Sequence, residues 1–95
     1  MKIVWSPQAI DDLSALRAFI AREDPAAAKR IALAIIKHVD EILAPHPGIG
    51  RAGRIPGTRE LVVPGTPFLV PYRVTGDSLI VLGVYHGRRR WPESL

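Results

Sequence analysis

The stretch that decides the fold runs from Val4 to Ala28 and reads VWSPQAIDDLSALRAFIAREDPAAA. It contains one signal twice, a capping side chain followed at once by proline, in Ser6-Pro7 and in Asp24-Pro25. Serine and aspartate are favoured N-cap residues, and proline suits the first turn of a helix, where its missing N–H has no partner to lose. The sequence therefore predicts two helices joined by a tight turn, which together form a helical hairpin.

Apolar residues recur at helical spacing after both capping pairs, so each helix is expected to bury one side. The first helix is expected to pack through Ile10, Leu13, Leu16, Ala18 and Ile20. The second is expected to end before Pro45 and to pack through Ala28, Ile31, Ala32, Ile35, Val39 and Ile42.

Extended segments flank the helical hairpin on both sides. A short run with two β-branched residues, 2–5, precedes it, and a loop rich in proline and glycine, 44–57, follows it. Three β-like runs then alternate with turn signals: Thr58 to Val63, Phe68 to Val74 and Leu79 to Tyr85, with Pro64-Gly65 and Gly76-Asp77 between them. The order β-α-α-β-β-β predicts an α+β fold, with the helical hairpin packed on one face of a small, mainly antiparallel sheet.

Pro71 interrupts the middle β-like run. Because proline has no N–H to donate to a strand partner, we expect a bulge or an unpaired position at this point of the sheet.

Length and composition are typical of one small globular domain, which we expect to span residues 1–95. The chain has 47% hydrophobic and 23% charged residues and no cysteine, which excludes disulfides and thiolate chemistry. Its apolar runs are too short to cross a bilayer, and its N-terminus lacks the apolar segment of a signal peptide. We therefore expect a cytoplasmic protein with no membrane contact.

Positive charge is concentrated in the second half of the chain. Residues up to Pro47 carry equal numbers of basic and acidic side chains, whereas those from Gly48 onward carry seven arginines against three acidic residues. This second half accounts for the whole net charge of +4. The planar guanidinium of arginine suits carboxylate and phosphate groups, so the pattern indicates either an anionic partner or a solvated surface.

The densest candidate site is the C-terminal stretch YHGRRRWP, residues 85–92. Three adjacent guanidinium groups beside aromatic rings can hold phosphates and stack on a base. Alternatively, the stretch keeps an edge strand soluble, or its tryptophan packs over the sheet. The candidate target-binding residues here are His86, Arg88, Arg89, Arg90 and Trp91.

Arg73 is a further candidate, because it lies in a run that is otherwise almost wholly apolar. Strand alternation separates Arg73 from the face that carries Val70 and Tyr72. If that apolar face meets the helices, Arg73 projects from the open face of the sheet. There it either binds an anionic group or pairs with Glu60 on the neighbouring strand.

Cleavage of RNA needs a base, an acid and cationic groups near the phosphate. Arg73, His86 and Glu60 supply these residue types, although without a diagnostic spacing. His38 and His46 have no partners at metal-ligand spacing, so we expect no metal site. The sequence also has no phosphate-binding loop, hydrolase elbow or dinucleotide fingerprint, and we expect no cofactor.

An ordered set of short motifs covers nearly the whole chain. They are Trp5-Ser6-Pro7, Ala9 with Asp12-Leu13, Asp24-Pro25-Ala26-Ala27-Ala28, Pro47 with Gly50-Arg51, Gly53-Arg54, Gly57-Thr58-Arg59-Glu60-Leu61, Pro71-Tyr72-Arg73-Val74 and His86-Gly87-Arg88-Arg89-Arg90-Trp91-Pro92. In this order the motifs resemble the RelE/ParE toxin superfamily, and its ParE branch more than its RelE branch.

The resemblance implies the toxin component of a type II toxin–antitoxin system, as found in plasmid stabilisation modules. Its partner would be a ParD-like antitoxin, a ribbon-helix-helix dimer that binds its own promoter and folds its C-terminal segment onto the toxin. The toxin would then touch DNA only indirectly, through the antitoxin. ParE-type members inhibit DNA gyrase, whereas RelE-type members cut mRNA in the ribosome.

The resemblance also bears on the candidate residues. Arg73 stands where the family keeps a strand arginine, and His86 stands where some nuclease members have a catalytic histidine. Those members place a tyrosine after it, whereas this chain has Gly87. The resemblance therefore favours a gyrase inhibitor without an active site of its own, with a ribosome-dependent mRNA endoribonuclease as the alternative.

Overall fold

The computed structural model describes residues 1–88 and contains a helical hairpin and a six-stranded mixed sheet. In chain order its elements are β1 (Lys2–Trp5), α1 (Pro7–Ala21), α2 (Pro25–His38), β2 (Arg51–Ala52), β3 (Arg59–Val62), β4 (Phe68–Thr75), β5 (Ser78–Val81) and β6 (Tyr85–His86). The predicted α+β class is confirmed. The short strand β2 is an addition to the predicted order, and the last predicted strand is divided into β5 and β6.

Both helices begin where the capping pairs predict. The Ser6 hydroxyl oxygen accepts the N–H of Ala9 at 3.0 Å, and a carboxylate oxygen of Asp24 accepts the N–H of Ala27 at 3.0 Å. α2 continues into a single π-helical turn, Val39–Leu43, and ends ahead of the loop prolines. Within residues 1–88, neither helix combines the length and the apolar character needed to cross a membrane.

The sheet has the strand order β1-β5-β4-β3-β2, and β6 also pairs with β4. β1 runs parallel to β5, while every other pair is antiparallel. The long strand β4 is therefore central. It has β3 along one side and β5 followed by β6 along the other, and its register positions the candidate residues described below.

The irregularity predicted at Pro71 is a bulge in the strand that faces it. Three residues, 82–84, stand opposite two residues of β4, 70–71. The Pro71 carbonyl accepts the N–H of Leu82 at 2.9 Å. Because proline has no N–H, it cannot donate the second hydrogen bond of a regular strand pair. The last run, predicted as one strand over 79–85, is consequently split into β5 and β6.

The core lies between the helical hairpin and one face of the sheet. Its buried members are Ala9, Ile35, Val39, Leu43, Leu61, Val63, Val70, Tyr72, Leu79, Val81 and Val84. This arrangement confirms that Val70 and Tyr72 face the helices and that Arg73 lies on the opposite face of the sheet.

The apolar side predicted for α1 is partly wrong. Ile10 is 53% exposed and Ala18 is also exposed, whereas Ala9 is fully buried. Ala9, Leu13 and Leu16 form the side that packs on the core. Successive residues lie about 100° apart around a helix, so Ile10 is carried from the core to the outer surface.

Candidate functional site

Glu60 is a buried carboxylate that pairs with two partly exposed arginines of the β2–β3 hairpin. Its side chain is only 3% exposed, and one carboxylate oxygen accepts an N–H of the Arg51 guanidinium at 3.2 Å. The other oxygen accepts the backbone N–H of Arg54 at 2.8 Å and the Nε–H of Arg54 at 3.2 Å. The possible pairing of Glu60 with Arg73 is therefore wrong, because the hairpin itself supplies both cations. Within residues 1–88, Arg73 forms no ion pair.

The loop before this hairpin is anchored to the sheet by two side chains. The Tyr72 hydroxyl donates to the Pro47 carbonyl at 2.7 Å and accepts the N–H of Gly50 at 2.9 Å. Arg59 donates to the carbonyls of Gly48 and Gly50 at 3.3 and 2.9 Å. A side chain at Gly50 would collide with the Tyr72 hydroxyl, so glycine is required there. The proline- and glycine-rich loop thus has one fixed path.

The electrostatic surroundings of Glu60 favour its charged form. Burial by itself would raise the pKa of this carboxyl. The hydrogen bonds from the Arg54 backbone and the Arg51 guanidinium, together with the charge of Arg54, outweigh burial and lower the pKa from its ordinary value of 4.5. Glu60 is consequently a charged structural partner at neutral pH and a poor proton acceptor.

This lowered pKa predicts a loss of stability in acid. A carboxyl whose folded pKa lies below its unfolded pKa stabilises the folded state above the unfolded value, and the contribution disappears as the pH falls through the folded pKa. We expect Glu60→Gln to remove this contribution and to flatten the decline in the free energy of unfolding below about pH 4.5, measured by urea titration. Glu23→Gln, which changes an exposed carboxylate in the turn between the helices, should follow the wild-type profile. Parallel wild-type and Glu60→Gln profiles would contradict this prediction.

His86 lies on the helix side of the sheet, in β6. It pairs with Phe68 of β4, and the two rings meet edge to face with centroids 5.8 Å apart. Its Nδ1 atom accepts the backbone N–H of Arg88 at 3.1 Å, and Arg88 is exposed. His86 thus fixes the direction in which the chain leaves the sheet.

The start of β6 is held by α1. A carboxylate oxygen of Asp12 accepts the N–H of Val84 at 3.0 Å, and the Ser6 hydroxyl donates to the Leu82 carbonyl at 3.3 Å. Burial, and secondarily the charge of Asp12, raise the pKa of Tyr85. In the bulge before β6, the Leu82 carbonyl and the Val84 N–H are therefore satisfied by side chains of α1 and its cap, while the Leu82 N–H keeps its strand partner Pro71.

A groove of about 680 Å³ runs between α1 and β6, and we refer to it as the α1–β6 groove. Its apolar lining is Leu16, Phe19, Ile20, Ile31, Phe68 and Val84, and Asp12, Tyr85 and His86 add polar groups. Phe19 is 60% exposed although it is a large aromatic residue. Contiguous exposed apolar surface of this kind is typical of a site where a partner binds.

The three candidate nuclease residues do not meet at one point. Glu60 pairs with Pro71 and His86 pairs with Phe68, on opposite sides of β4. Ordinary strand spacings put the Cα atoms of Glu60 and His86 about 14 Å apart, and their side chains point to opposite faces. Arg73 lies five residues along β4 from the partner of His86, which corresponds to a separation of about 17 Å. Of the other candidates, Arg89, Arg90 and Trp91 lie outside the described residues.

Residues 3–91 match the family model described as "ParE toxin of type II toxin-antitoxin system, parDE". This chain belongs to the ParE toxin family. The predicted superfamily and branch are thereby confirmed, and the match extends over both helices and all six strands of the described fold.

Individual ParE-family relatives agree with this assignment. The candidate toxin Y4kP of Sinorhizobium fredii is 40% identical over 94 residues, which cover 99% of this chain and 96% of that protein. Toxin RelE2 of Caulobacter vibrioides is 32% identical over 88 residues, covering 93% and 97%. The solved structure of the chromosomal ParDE TA system from P. aeruginosa superposes with a TM-score of 0.78 at 27% identity, covering 90% of this chain and 95% of that one.

Sequence reasoning about this ParE-family chain missed the partners of Glu60. A signal was present, because Glu60 is the only acidic residue between Gly48 and Gly76, in a segment that also holds Arg51 and Arg54. A lone acidic residue in an arginine-rich hairpin indicates a local ion pair. The role of Asp12 had no such signal, because its partner Val84 is far away in the sequence.

Proposed function

We propose that this ParE-family toxin inhibits DNA gyrase by binding it, and that a ParD-like antitoxin neutralises it. The observation that carries the proposal is the separation of Glu60 from His86. An acid and a base must both reach the bond being broken, and about 14 Å between their Cα atoms, with side chains on opposite faces, does not allow this. The buried, doubly paired carboxylate of Glu60 also argues against proton transfer. A protein that acts by binding needs only a rigid surface.

The C-terminal cations are the proposed gyrase-binding surface. Arg88 is exposed directly after β6, and its backbone is fixed by His86. Arg89, Arg90 and Trp91 continue the same stretch of sequence. Arginine and tryptophan are enriched among the residues that dominate binding energy in protein interfaces. Arg73, on the other face of the sheet, is proposed as a separate contact.

A ribosome-dependent mRNA endoribonuclease is the second candidate function. One observation favours it: the imidazole of His86, a side chain type able to transfer protons, accepts the backbone N–H of Arg88, so a basic residue follows it within two positions. One relative, moreover, bears the name Toxin RelE2. Both gyrase and ribosomes are cytoplasmic targets, which agrees with the localisation expected from the sequence.

Purified protein distinguishes the two functions. Gyrase supercoiling and DNA cleavage are measured with increasing toxin, in parallel with mRNA cleavage on ribosomes. We expect inhibited supercoiling, or accumulated cleaved DNA, at toxin concentrations that leave mRNA intact. Cleaved mRNA with unaffected gyrase would replace the first function by the second.

The proposed antitoxin site is the α1–β6 groove. The related solved structure is a ParDE system, and the apolar lining of the groove suits the apolar side of a partner helix. Coupled folding of such a partner onto the toxin would bury the exposed ring of Phe19. A ParD-like antitoxin would carry any DNA contact of the complex.

Phe19 provides a test of this antitoxin site. Loss of a well-packed aromatic anchor typically lowers binding by about 2 kcal/mol or more, so we expect Phe19→Ser to weaken antitoxin affinity at least about thirtyfold in calorimetry. Toxicity without the antitoxin should persist. Ile10→Ser is the matched control, because it makes an exposed apolar residue of the same helix polar outside the groove. Equal antitoxin affinity for both variants would exclude the groove.

A further inference from the structure

The β2–β3 hairpin holds two arginines in fixed positions around Glu60, Arg51 and Arg54, which we call the hairpin arginine cluster. The side chains of Arg51 and Arg54 are 57% and 40% exposed, yet both are bound to the buried carboxylate of Glu60 at 3.2 Å. Arg59 precedes Glu60 on β3 and pairs with Tyr72, so its side chain points to the other face of the sheet and is not part of the cluster. The cluster is therefore both accessible and rigid.

Stability alone does not account for this arrangement. Removing a carboxylate from water is costly, and a buried ion pair often contributes no more than an apolar pair of equal volume. Ion pairs of exposed arginines contribute little as well. Glu60 does fix the orientation of both arginines, because each of its carboxylate oxygens binds one guanidinium group. Side chains fixed before binding lose less conformational entropy when a ligand arrives.

The chemistry around the cluster indicates a protein ligand. Two arginines and the Glu60 carboxylate leave the cluster a net charge of only about +1, which suits a few carboxylates better than an extended row of phosphates. Ile49, beside Gly50 in the anchored loop, is 55% exposed and offers an apolar contact that a phosphate backbone cannot use. Arginine also binds carboxylates in a bidentate geometry.

We infer that the hairpin arginine cluster is a preorganised docking site for an acidic segment of a partner protein. Glu60 acts in it as a positioning residue that does not touch the ligand. The inference goes beyond gyrase inhibition and antitoxin binding in the α1–β6 groove, since Glu60 points to the face of the sheet opposite that groove. It does not depend on either of them.

The test measures binding of a fluorescent polyglutamate peptide to the purified toxin by anisotropy at low salt. Charge-assisted hydrogen bonds lost from one guanidinium predict an affinity about tenfold lower in Arg51→Lys, which keeps the charge but loses the planar fork. Arg22→Lys, in the turn that follows α1, is the matched control, and its affinity should equal that of the wild type. Equal affinity of Arg51→Lys and the wild type would overturn the inference.

Glu60→Gln distinguishes binding at a preorganised site from binding by positive charge alone. This variant raises the net charge of the cluster, so a diffuse electrostatic surface would bind polyglutamate more tightly. Loss of orientation instead predicts weaker binding, again by about tenfold. Thermal melting shows whether Glu60→Gln still folds. If it does not, the inference is tested by Arg51→Lys alone, because that variant leaves Glu60 paired with a cation.

Oligothymidylate of the same formal charge serves as the nucleic-acid probe. We expect it to bind more weakly than polyglutamate, and we expect its affinity to be the same for the wild type and Arg51→Lys. Tighter oligothymidylate binding that collapses in Arg51→Lys would assign the cluster to nucleic acid and overturn the inferred protein partner.

Discussion

Replacing Ile35 by alanine is expected to lower the free energy of unfolding by about 2–5 kcal/mol, the range found for aliphatic side chains truncated in a packed core. Ile35 is fully buried on α2 and packs in the cluster that joins the helices to the sheet. For a domain of this size each kcal/mol lowers the melting temperature by about 4–8 °C, so the melting temperature should fall by roughly 10 °C or more. Thermal unfolding followed by circular dichroism measures the effect.

Ile10→Ala is the matched control, because the same chemical change is made at a 53% exposed position of α1. Surface substitutions usually change stability by less than about 0.5 kcal/mol. A loss of toxicity in Ile35→Ala alone would then report unfolding and not a lost target contact. Equal destabilisation by both substitutions would show that α1 is rotated relative to the described fold.

The second large effect is expected from the C-terminal cations. Changing Arg88, Arg89 and Arg90 together to alanine should abolish toxicity while leaving the melting temperature nearly unchanged. Exposed charges contribute little to folding, but arginine side chains dominate many interfaces. Toxicity is measured by growth after induction without antitoxin, with the amount of folded protein checked in each culture.

The control is a second triple variant that loses the same three positive charges elsewhere in the chain. Arg17, Arg22 and Arg30 are exposed on the helical hairpin, and changing them to alanine lowers the net charge by the same amount. We expect this helix variant to stay toxic. Equal loss of toxicity in both triple variants would mean that overall charge matters and that no C-terminal binding surface exists.

His86→Gln connects this result to mechanism. General acid–base catalysis typically contributes a factor of about 10²–10⁴ to a rate, so a nuclease that uses His86 should lose almost all activity. An inhibitor that acts by binding should lose only the contacts of the ring with Phe68 and Arg88. Strong residual toxicity in His86→Gln, with none in the C-terminal triple variant, is the result we expect.

Several features were determined by the sequence itself, because they depend on neighbours a few residues away. The caps at Ser6 and Asp24 placed both helix starts, since the capping bond closes within a single turn. Pro71 marked the break in the sheet, because its missing N–H is a property of the residue. The ordered motifs likewise predicted the superfamily, and the family match over residues 3–91 confirms it.

Other features were decided only by the tertiary structure. Helical periodicity alone did not place Ala9 inside and Ile10 outside, because the rotation of α1 is set by the sheet it packs on. The same holds for Asp12 and the N–H of Val84, which are brought together only when α1 packs beside β6.

The partner choice of Glu60 and its distance from His86 follow from strand register. Arg73, Arg51 and Arg54 were all chemically suitable partners, and the pairing of β2 with β3 selected the last two. Register likewise set Glu60 and His86 on opposite sides of β4. A sequence shows which side chains are present, whereas the long-range pairing of strands fixes which of them can act together.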